Sequence, residues 1–240
     1  MARLTITIPV FNEEDILHHN ILKVLNFCEK NLKWDWQIVI VDNGSIDQTA
    51  EIGKKLATDY NKVKYLHLEA VGKGIAIKSG WQQETADFYL FMDADLATDL
   101  SAILLAVAEL NAGADLVLGS RFHPASRVNR SLMRKIFSFG YRLVLKLFLK
   151  TKISDAPCGF KAINNRVKES ILPQVRDDQW FFDSELVVLA EYNNFRIVEI
   201  PVIWQDRRAG KNKSRVKVFN LSWAYLVEVL KLRKRLKKYE

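Results

Sequence analysis

The stretch that decides the fold is Asp87-Phe88-Tyr89-Leu90-Phe91-Met92-Asp93-Ala94-Asp95. Its first part is apolar and aromatic, which predicts a buried β-strand. Two carboxylates, Asp93 and Asp95, follow where that strand should end. Because alternate residues of an extended backbone point to the same side, we expect the two carboxylates to converge on one point. Such oxygen ligands suit Mg2+ or Mn2+, above all when a diphosphate supplies further oxygens. The alternative is a solvated turn that caps the next helix.

Outward from this stretch, strand-like runs alternate with helical segments over about the first hundred residues. The runs at residues 4–9, 37–42 and 63–68 predict three more strands, each followed by turn residues and a helical segment. The alternation predicts an α/β fold with a doubly wound, mostly parallel sheet. No G-x-G-x-x-G motif follows the first strand and no Walker A motif occurs, which argues against a dinucleotide-binding fold or a P-loop enzyme.

The ends of the predicted strands define one candidate site. In open α/β sheets, ligands bind beyond the carboxyl ends of the strands. The segments at or just after these ends are Pro9–Glu13, Asp42–Ser45, Gly72–Gly74 and Asp93–Asp95. We therefore expect these four segments to share one crevice.

An apolar and basic segment lies at about residues 126–152. Lys135, Arg142, Lys146 and Lys150 recur there at spacings that place them on one face of a helix. One interpretation is a helix that lies in a membrane interface, with its apolar face toward the lipid. The other is a solvated face on a helix that docks on the core.

The remainder of the chain predicts further elements and one domain. These elements are helices at about 166–172 and from residue 180, a strand at 195–204, and a final helix at 218–236 with Phe219, Trp223, Leu226 and Leu230 on one face. We predict a catalytic domain over residues 1–217, which includes the interfacial helix at about 130–150. A basic C-terminal helix over residues 218–240 follows as an amphipathic extension.

Composition indicates a globular protein of a reducing compartment. The 240 residues are 49% hydrophobic and 27% charged, which suffices for one large α/β domain. Cys28 and Cys158 do not form a disulfide framework. The first residues enter a strand-like run at once, so we expect no signal peptide. No uncharged stretch approaches the ~18 residues that span a bilayer. We therefore expect a cytoplasmic protein.

The positive charge is concentrated at the C-terminus. Of the net charge of +8, the residues from Arg207 onward contribute 12 basic and 2 acidic side chains, whereas the rest has 24 basic and 26 acidic. This tail predicts a polyanionic partner, which is a membrane surface, a phosphorylated ligand or nucleic acid. Aromatic residues do not interleave with the basic ones in a nucleic-acid-binding module, so we expect no nucleic acid partner.

Several motifs in order resemble glycosyltransferase family 2, the inverting enzymes of GT-A fold. The early motifs are Ile8–Glu13, Val41–Asp47, Gly72–Gly74 and Asp93–Asp95. The later motifs, Gly119–Arg121, Cys158–Lys161, Phe182–Leu186 and Glu199–Val202, are similar to dolichyl-phosphate glucosyltransferases and dolichol-phosphate mannosyltransferases. The likeness runs from Leu4 to about Val218. It implies the GT-A nucleotide-diphospho-sugar transferase fold.

The resemblance implies roles for individual residues of this chain. Asp93 and Asp95 would hold the metal, and the catalytic set would be Asp93, Asp95, Asp183 and Arg121. The nucleotide- and donor-binding set would be Pro9, Asn12, Glu13, Asp42, Gly44, Lys73, Asp93, Ala94, Asp95 and Arg207, with Asp42 near the base. The acceptor-binding set would be Arg121, Glu185 and Lys213.

The implied activity is metal-dependent transfer of a hexose to a polyprenyl phosphate. The donor would be a nucleotide sugar of the UDP-glucose or GDP-mannose type, and the cofactor Mg2+ or Mn2+. The basic helices would hold the enzyme as a peripheral protein at the cytoplasmic face of an anionic membrane. A separate membrane-anchored protein is a further candidate partner.

Three alternatives remain at this stage. A soluble transferase of the same family could glycosylate a hydroxyl on a polysaccharide, glycolipid or protein, and it would need a general base such as Asp183. A nucleotidyltransferase would want a glycine-rich, arginine-bearing loop after the first strand, which Pro9–Asn12 is not. A non-catalytic basic membrane adaptor would use only the tail.

Overall fold

The first part of the chain folds as the alternation predicts. A computed structural model describes residues 2–130, 132–205 and 218–237. The first seven elements are β1 (Arg3–Val10), α1 (Leu17–Asn31), β2 (Asp35–Asn43), α2 (Thr49–Asp59), β3 (Val63–Leu68), α3 (Lys73–Gln82) and β4 (Phe88–Met92). Each strand is rich in β-branched or aromatic residues, and each helix is followed by a return to the sheet.

The second part adds a mixed set of elements. They are α4 (Ser101–Asn111), β5 (Leu116–Ser120), β6 (Arg127–Asn129), α5 (Leu132–Leu149), β7 (Phe160–Asn164), α6 (Asn165–Ser170), a 3-10 turn (Leu172–Gln174), α7 (Phe182–Tyr192), β8 (Ile197–Pro201), β9 (Ile203–Gln205) and α8 (Val218–Leu236). None of the helices in the described ranges is long and apolar enough to cross a bilayer.

Seven strands form the main sheet in the order β3-β2-β1-β4-β7-β5-β8. The pairs β1–β2, β1–β4, β2–β3 and β5–β8 are parallel, and β7 runs antiparallel to both β4 and β5. The prediction of a mostly parallel α/β sheet is therefore confirmed. The carboxyl ends of β1, β2, β3 and β4 meet at one edge.

The sheet is covered on both faces, as its continuous apolar strands require. One core contains Leu4, Ile6 and Ile8 of β1 together with apolar residues of α1 and α4. The other contains Phe91 of β4 and packs against α3, α5, α7 and α8, with Phe182 as its largest buried residue of α7. Alternate side chains of a strand point to opposite faces, so β5 contributes Val117 to the first core and Leu116 and Leu118 to the second.

The helix predicted at about 130–150 is confirmed by α5 (Leu132–Leu149), and Arg127–Asn129 just before it forms β6. One local prediction was wrong. The strand predicted at 195–204 is two strands in different sheets, β8 in the main sheet and β9 paired with β6. Val202 lies between them, where its N–H donates to Ser126 Oγ at 2.9 Å and its carbonyl accepts from Arg127 N at 3.0 Å. These long-range hydrogen bonds have no signature in local sequence pattern.

Helix α8 spans the predicted residues 218–236 and packs beside α5 and α7. Its buried side chains are Val229, Leu232 and Leu236, whereas Leu230 of the predicted apolar face is 46% exposed. Leu226 is half-buried, and the side chains of Phe219 and Trp223 lie outside the described residues. The two residues of the predicted apolar face whose side chains are described are therefore not among the buried residues of α8.

Candidate active site

The loops after β1 and β2 are joined by backbone-to-side-chain hydrogen bonds. Asn12, which has a positive φ of 54°, donates its N–H to Ser45 Oγ at 2.8 Å and accepts from Ile46 N at 2.8 Å through Oδ1. Glu13 N donates to Thr49 Oγ1 at 2.7 Å. Pro9 is half-buried and pairs in register with Val41 of β2. Two of the four predicted segments therefore form one continuous rim.

Gly44 and Asn43 connect this rim to the start of α3. Gly44 has a φ of +81°, a conformation that glycine adopts without strain. Asn43 Nδ2 donates to Val10 O at 2.6 Å, and Asn43 Oδ1 accepts from Gly72 N at 3.0 Å. One amide side chain thus bridges the first and third predicted segments.

Asp42 lies at the end of β2 with a fully buried side chain. Its carboxylate accepts from Ser45 N at 3.0 Å and from Tyr65 Oη at 2.8 Å, and His67 Nδ1 lies 3.2 Å from Oδ2. Burial, and then the bond to Asp42, raise the pKa of Tyr65, so its hydroxyl stays a donor. His67 is 39% exposed and lies at the surface in front of Asp42. Sequence reasoning missed this pair, although Asp42 and His67 are register partners of β2 and β3.

The acidic pair lies in a turn and not on an extended strand. Strand β4 ends at Met92, and Leu96 N donates to Asp93 O at 3.1 Å. Strand alternation therefore does not set the directions of the two carboxylates, contrary to our prediction. Asp93 Oδ1 lies 2.8 Å from Lys73 Nζ, and Asp95 Oδ1 accepts from Ala97 N at 3.0 Å. Ala94 is buried between them, and its carbonyl accepts from Asn20 Nδ2 at 2.8 Å.

The start of β7 lies against this turn. Asp93 N donates to Gly159 O at 3.2 Å. A Cβ atom on Gly159 would lie 1.9 Å from Asp93 Oδ2, so only glycine lets the backbone approach the carboxylate this closely. The Cys158–Lys161 motif is thereby tied to the acidic pair.

Asp93, Lys73, Asp183 and Lys161 form a chain of alternating charges. Lys73 Nζ lies 2.8 Å from Asp93 Oδ1 and 2.9 Å from Asp183 Oδ2, and Lys161 Nζ lies 3.2 Å from Asp183 Oδ1. Lys73, Asp183 and Lys161 are 7%, 4% and 0% exposed, whereas Asp93 is 39% exposed. Burial alone would lower the pKa of Lys73, but Asp183 and then Asp93 outweigh it and raise the pKa. The chain therefore runs from a buried end to an exposed carboxylate.

Lys161 is a residue of this site that sequence reasoning missed as a functional candidate. Its ammonium group donates to Cys158 O and lies 5.3 Å from the centroid of the Phe91 ring. A lysine among the apolar residues Phe160, Ala162 and Ile163 of β7 is the signal that could have identified it, since lysine is almost never fully buried without a partner. Asp183, which the sequence placed near a helix N-terminus, is the second residue of α7.

Both carboxylate oxygens of Asp183 accept from ammonium groups. Taking up a proton there would remove the negative charge that pairs with Lys73 and Lys161 inside the protein. An unpaired buried charge is costly, so this geometry favours a carboxylate that organises the two lysines. It does not favour a carboxylate that removes a proton from a substrate hydroxyl.

A second cationic group lies around Arg121. Its guanidinium donates to both oxygens of buried Asp155, from Nε at 2.8 Å and from Nη2 at 2.7 Å. The ring of Phe122 lies under two further arginines, Arg130 at 5.3 Å and Arg142 at 4.8 Å from its centroid. Burial, and then the charge of Arg121, lower the pKa of Arg130. We call Arg121, Arg130 and Arg142 the arginine cluster.

Glu185 is buried, and both of its carboxylate oxygens are engaged by protein groups. Its Oε2 accepts from Arg176 N at 3.1 Å and from Asp177 N at 2.8 Å, and Oε1 pairs with Arg235 of α8. The assignment of Glu185 to acceptor binding stays a prediction. Its contacts in the structure hold the loop at Arg176 and Asp177 and helix α8 in place. Arg207 and Lys213 lie outside the described residues.

Within residues 2–130, 132–205 and 218–237, the protein side chains alone do not form a complete metal site. The described residues contain no group of three or more His, Cys, Asp or Glu side chains arranged to hold a metal ion. Asp93 and Asp95 provide two carboxylates on one turn. Mg2+ is commonly bound by one or two carboxylates together with substrate phosphates, so this pair fits a metal that a diphosphate shares.

Comparison with known proteins identifies the family. The family model described as Glycosyl transferase family 2 matches residues 5–172. Glycosyltransferase AglD of Haloferax volcanii is 28% identical over 209 residues, which cover 86% of this chain and 34% of that protein. Dolichyl-phosphate beta-glucosyltransferase ALG5D of Trichomonas vaginalis is 30% identical over 218 residues, which cover 86% of this chain and 67% of that protein. The chain thus spans about one third of the first relative and about two thirds of the second.

Solved structures show the same fold. Glucosyl-3-phosphoglycerate synthase from Mycobacterium tuberculosis, in complex with Mn2+, UDP and glucosyl-3-phosphoglycerate, matches with a TM-score of 0.71. The match covers 98% of this chain and 80% of that chain at 14% identity. A complex of the same enzyme with Mg2+ and UDP matches with a TM-score of 0.66 at 15% identity over 98% of this chain and 79% of that chain. The predicted GT-A architecture is therefore confirmed.

Proposed function

Because the chain belongs to glycosyl transferase family 2, we propose that it moves a hexose from a nucleotide sugar to a polyprenyl phosphate. An oxygen of the lipid phosphate attacks the anomeric carbon of the sugar from the face opposite the diphosphate. The new carbon–oxygen bond forms as the bond to the diphosphate breaks, the nucleoside diphosphate leaves, and the configuration inverts. Relatives named dolichyl-phosphate beta-glucosyltransferase support this acceptor.

The environment of Asp183 carries the proposal. An acceptor hydroxyl needs a general base, whereas a phosphate monoester is already anionic near neutral pH. The Asp183 side chain is only 4% exposed, and both of its oxygens accept from lysines. Because Asp183 is paired with two lysines, it is poorly suited to take a proton from an acceptor. The site therefore suits an acceptor that is already deprotonated when it binds. This observation favours a lipid phosphate over a hydroxyl acceptor.

The arginine cluster supplies the cationic guidance that an anionic acceptor needs. A guanidinium group has five N–H donors, and Arg121 directs Nε and Nη2 at Asp155. Arg130 donates from Nη1 to Ser138 Oγ at 2.9 Å, which orients it beside Phe122. Arginine binds phosphate through charge-assisted hydrogen bonds, so we assign the acceptor phosphate to this cluster.

The donor would bind at the rim formed by the ends of β1, β2 and β3, with its diphosphate at the acidic turn. Asp93 and Asp95 would hold Mg2+ or Mn2+, which when bound neutralises charge on the departing diphosphate. Lys73, already at Asp93, adds a positive charge at the same place. Donors of the UDP-glucose or GDP-mannose type fit this arrangement, and the structural neighbours that contain UDP support the former.

Helix α5 supports a peripheral location at the membrane. Its exposed apolar side chains are Met133, Ile136, Phe137, Phe139, Leu143 and Leu147, of which Ile136 and Leu147 are each 65% exposed. Lys135 and Lys146 are also exposed on this helix. Exposed apolar side chains flanked by lysines are typical of a helix that lies in a lipid interface. We propose the cytoplasmic face of the membrane as its location, with a separate membrane-anchored protein as a further partner.

A transfer assay tests the proposed function. The purified chain is incubated with UDP-glucose or GDP-mannose and a short-chain polyprenyl phosphate, with and without Mn2+, and the glycolipid is quantified by mass spectrometry. We expect product with one donor, only with divalent metal, and a thermal shift with that same donor. Transfer to polysaccharide or protein hydroxyls without lipid phosphate would favour the soluble transferase. Absence of any transfer together with vesicle binding would favour the adaptor.

A further inference from the structure

A cavity of about 730 Å3 lies where the C-terminal ends of α5, α7 and α8 meet. It is separate from the crevice, because its lining residues come from 148–152, 188–195 and 233–237. We propose that this cavity binds the phosphate headgroup of an anionic phospholipid. Volumes of this size are typical of small-molecule sites.

Four cationic side chains line the cavity: Lys150, Lys152, Arg233 and Lys237. The only carboxylate among the described lining residues is Glu191. Its Oε1 accepts from Lys152 N at 2.8 Å, and its Oε2 accepts from Thr151 Oγ1. Glu191 is therefore engaged in holding the loop after α5, and the lysine and arginine charges exceed the negative charge beside them.

The negative ends of the three helix dipoles do not neutralise all of this positive charge. Each helix C-terminus carries roughly half a negative elementary charge, and three such ends meet here. Together with Glu191 they offset part of the four cationic charges and leave an excess. A phosphate monoester or diester supplies the negative charge that would complete the balance.

Apolar residues around the same cavity favour a lipid over a free phosphate ion. Phe148, Val188, Phe195 and Leu236 contribute to the lining. Arg233 lies over the Phe148 ring, with Cζ at 5.6 Å from the centroid, so its guanidinium is held at the junction of charged and apolar surface. Leu230 is 46% exposed and lies one turn before Arg233 on the same face of α8. A headgroup in the cavity would leave its acyl chains next to exposed apolar surface.

The probe is dihexanoyl phosphatidate below its micelle concentration, titrated into the full chain by calorimetry. We expect binding that weakens at least tenfold in a variant carrying Lys152→Glu and Arg233→Glu. A matched control, Lys54→Glu with Lys55→Glu, changes the same net charge on exposed residues of α2 and is expected to bind as the wild type does. Lys150→Glu with Lys237→Glu reverses the other two charges and is a second test if the first variant fails to fold.

Two results would overturn the proposal. One is equal affinity of the wild type and both cavity variants for dihexanoyl phosphatidate. The other is an inorganic phosphate or glycerol 3-phosphate affinity equal to that of dihexanoyl phosphatidate, since the apolar lining would then contribute nothing. Transfer to a soluble short-chain polyprenyl phosphate is measured on the same proteins. We expect it to be unchanged in the Lys152→Glu, Arg233→Glu variant, so failure of this site is distinguishable from failure of the transferase.

Discussion

The crevice at the strand ends and the outer surface of α5 and α8 use charge in opposite ways. In the crevice, Lys73, Asp183 and Lys161 are almost fully buried and each contacts an opposite charge within 3.2 Å. On α5, Lys135 and Lys146 are exposed beside exposed apolar side chains. Buried charges depend on their partners for stability and hold a geometry, whereas exposed charges act over a Debye length and respond to salt. The buried charges of the crevice can therefore position reacting groups, and the exposed charges on the helices can attract an anionic membrane surface.

Replacement of the acidic pair tests the crevice most strongly. We expect Asp93→Asn with Asp95→Asn to lower turnover about a thousandfold, because a bound metal supplies several kcal/mol of charge stabilisation. The measurement is steady-state transfer at saturating Mn2+. Asp99→Asn is the control, since Asp99 lies in the same loop and its Oδ1 accepts from Ser101 N at 3.0 Å. Wild-type turnover in the doubly substituted protein would show that the pair holds no essential metal.

Loss of Lys161 tests whether the buried charges depend on each other. We expect Lys161→Met to lower the free energy of unfolding by about 3–5 kcal/mol, because removing one partner leaves a buried charge less compensated. Urea unfolding measures this change, and Lys54→Met on exposed α2 should change it by less than about 0.5 kcal/mol. Addition of Asp183→Asn should restore part of the loss. Additive losses in the double variant would contradict a coupled network.

Substitution on α5 tests the other region. Leu143 and Leu147 are 48% and 65% exposed, so Leu143→Ser with Leu147→Ser should leave the unfolding free energy within about 0.5 kcal/mol. Vesicle binding should fall at least about tenfold, since burial of one leucine contributes about 1.5–3 kcal/mol. Leu105→Ser on α4, where Leu105 is 43% exposed, is the matched control. Unchanged co-sedimentation with anionic vesicles would remove α5 from the membrane contact.

The two buried cysteines should have a smaller effect, which is a loss of folding stability at alkaline pH. Burial raises the pKa of both Cys28 and Cys158 to about 12. The folded protein then binds more protons than the unfolded chain above a pH of about 9, so stability falls as pH rises toward 12. The slope should reach about 1.4 kcal/mol per pH unit for each cysteine. Urea unfolding between pH 8.5 and 10.5 measures it, and a Cys28→Ala, Cys158→Ala protein should show a shallower slope. Identical slopes would mean that the thiols titrate alike in both states.

Much of the fold could be predicted from the local pattern of apolar and polar residues in the sequence. Strand β3 and helix α8 begin and end at the predicted residues, and the mostly parallel sheet follows from the alternation of elements. The secondary-structure predictions were wrong where the conformation of a residue depends on a partner far away in the sequence. Strand β6 forms only because β9 lies beside it, and the break at Val202 exists because Ser126 accepts its N–H. A three-residue strand has too little pattern of its own to be predicted.

The candidate site was predictable in its location but not in its contacts. The sequence alone placed Asp42, Lys73, Asp93 and Asp183 near strand or helix ends, because residue type and period determine where elements stop. It did not show that Lys73 joins Asp93 to Asp183, nor that Lys161 completes the chain of charges. Nor did it show that Asp42 is enclosed by Tyr65 and His67.

Sequence by itself therefore determined the class of fold, the order of elements and the edge of the sheet where charged residues gather. Only the tertiary structure decided which charges are paired, which apolar face of α8 is buried and where a basic cavity forms between three helix ends. The physical reason is that element type depends on short-range steric and hydrophobic periodicity. Ion pairing and burial depend on residues up to 110 positions apart, such as Lys73 and Asp183, that meet only after folding.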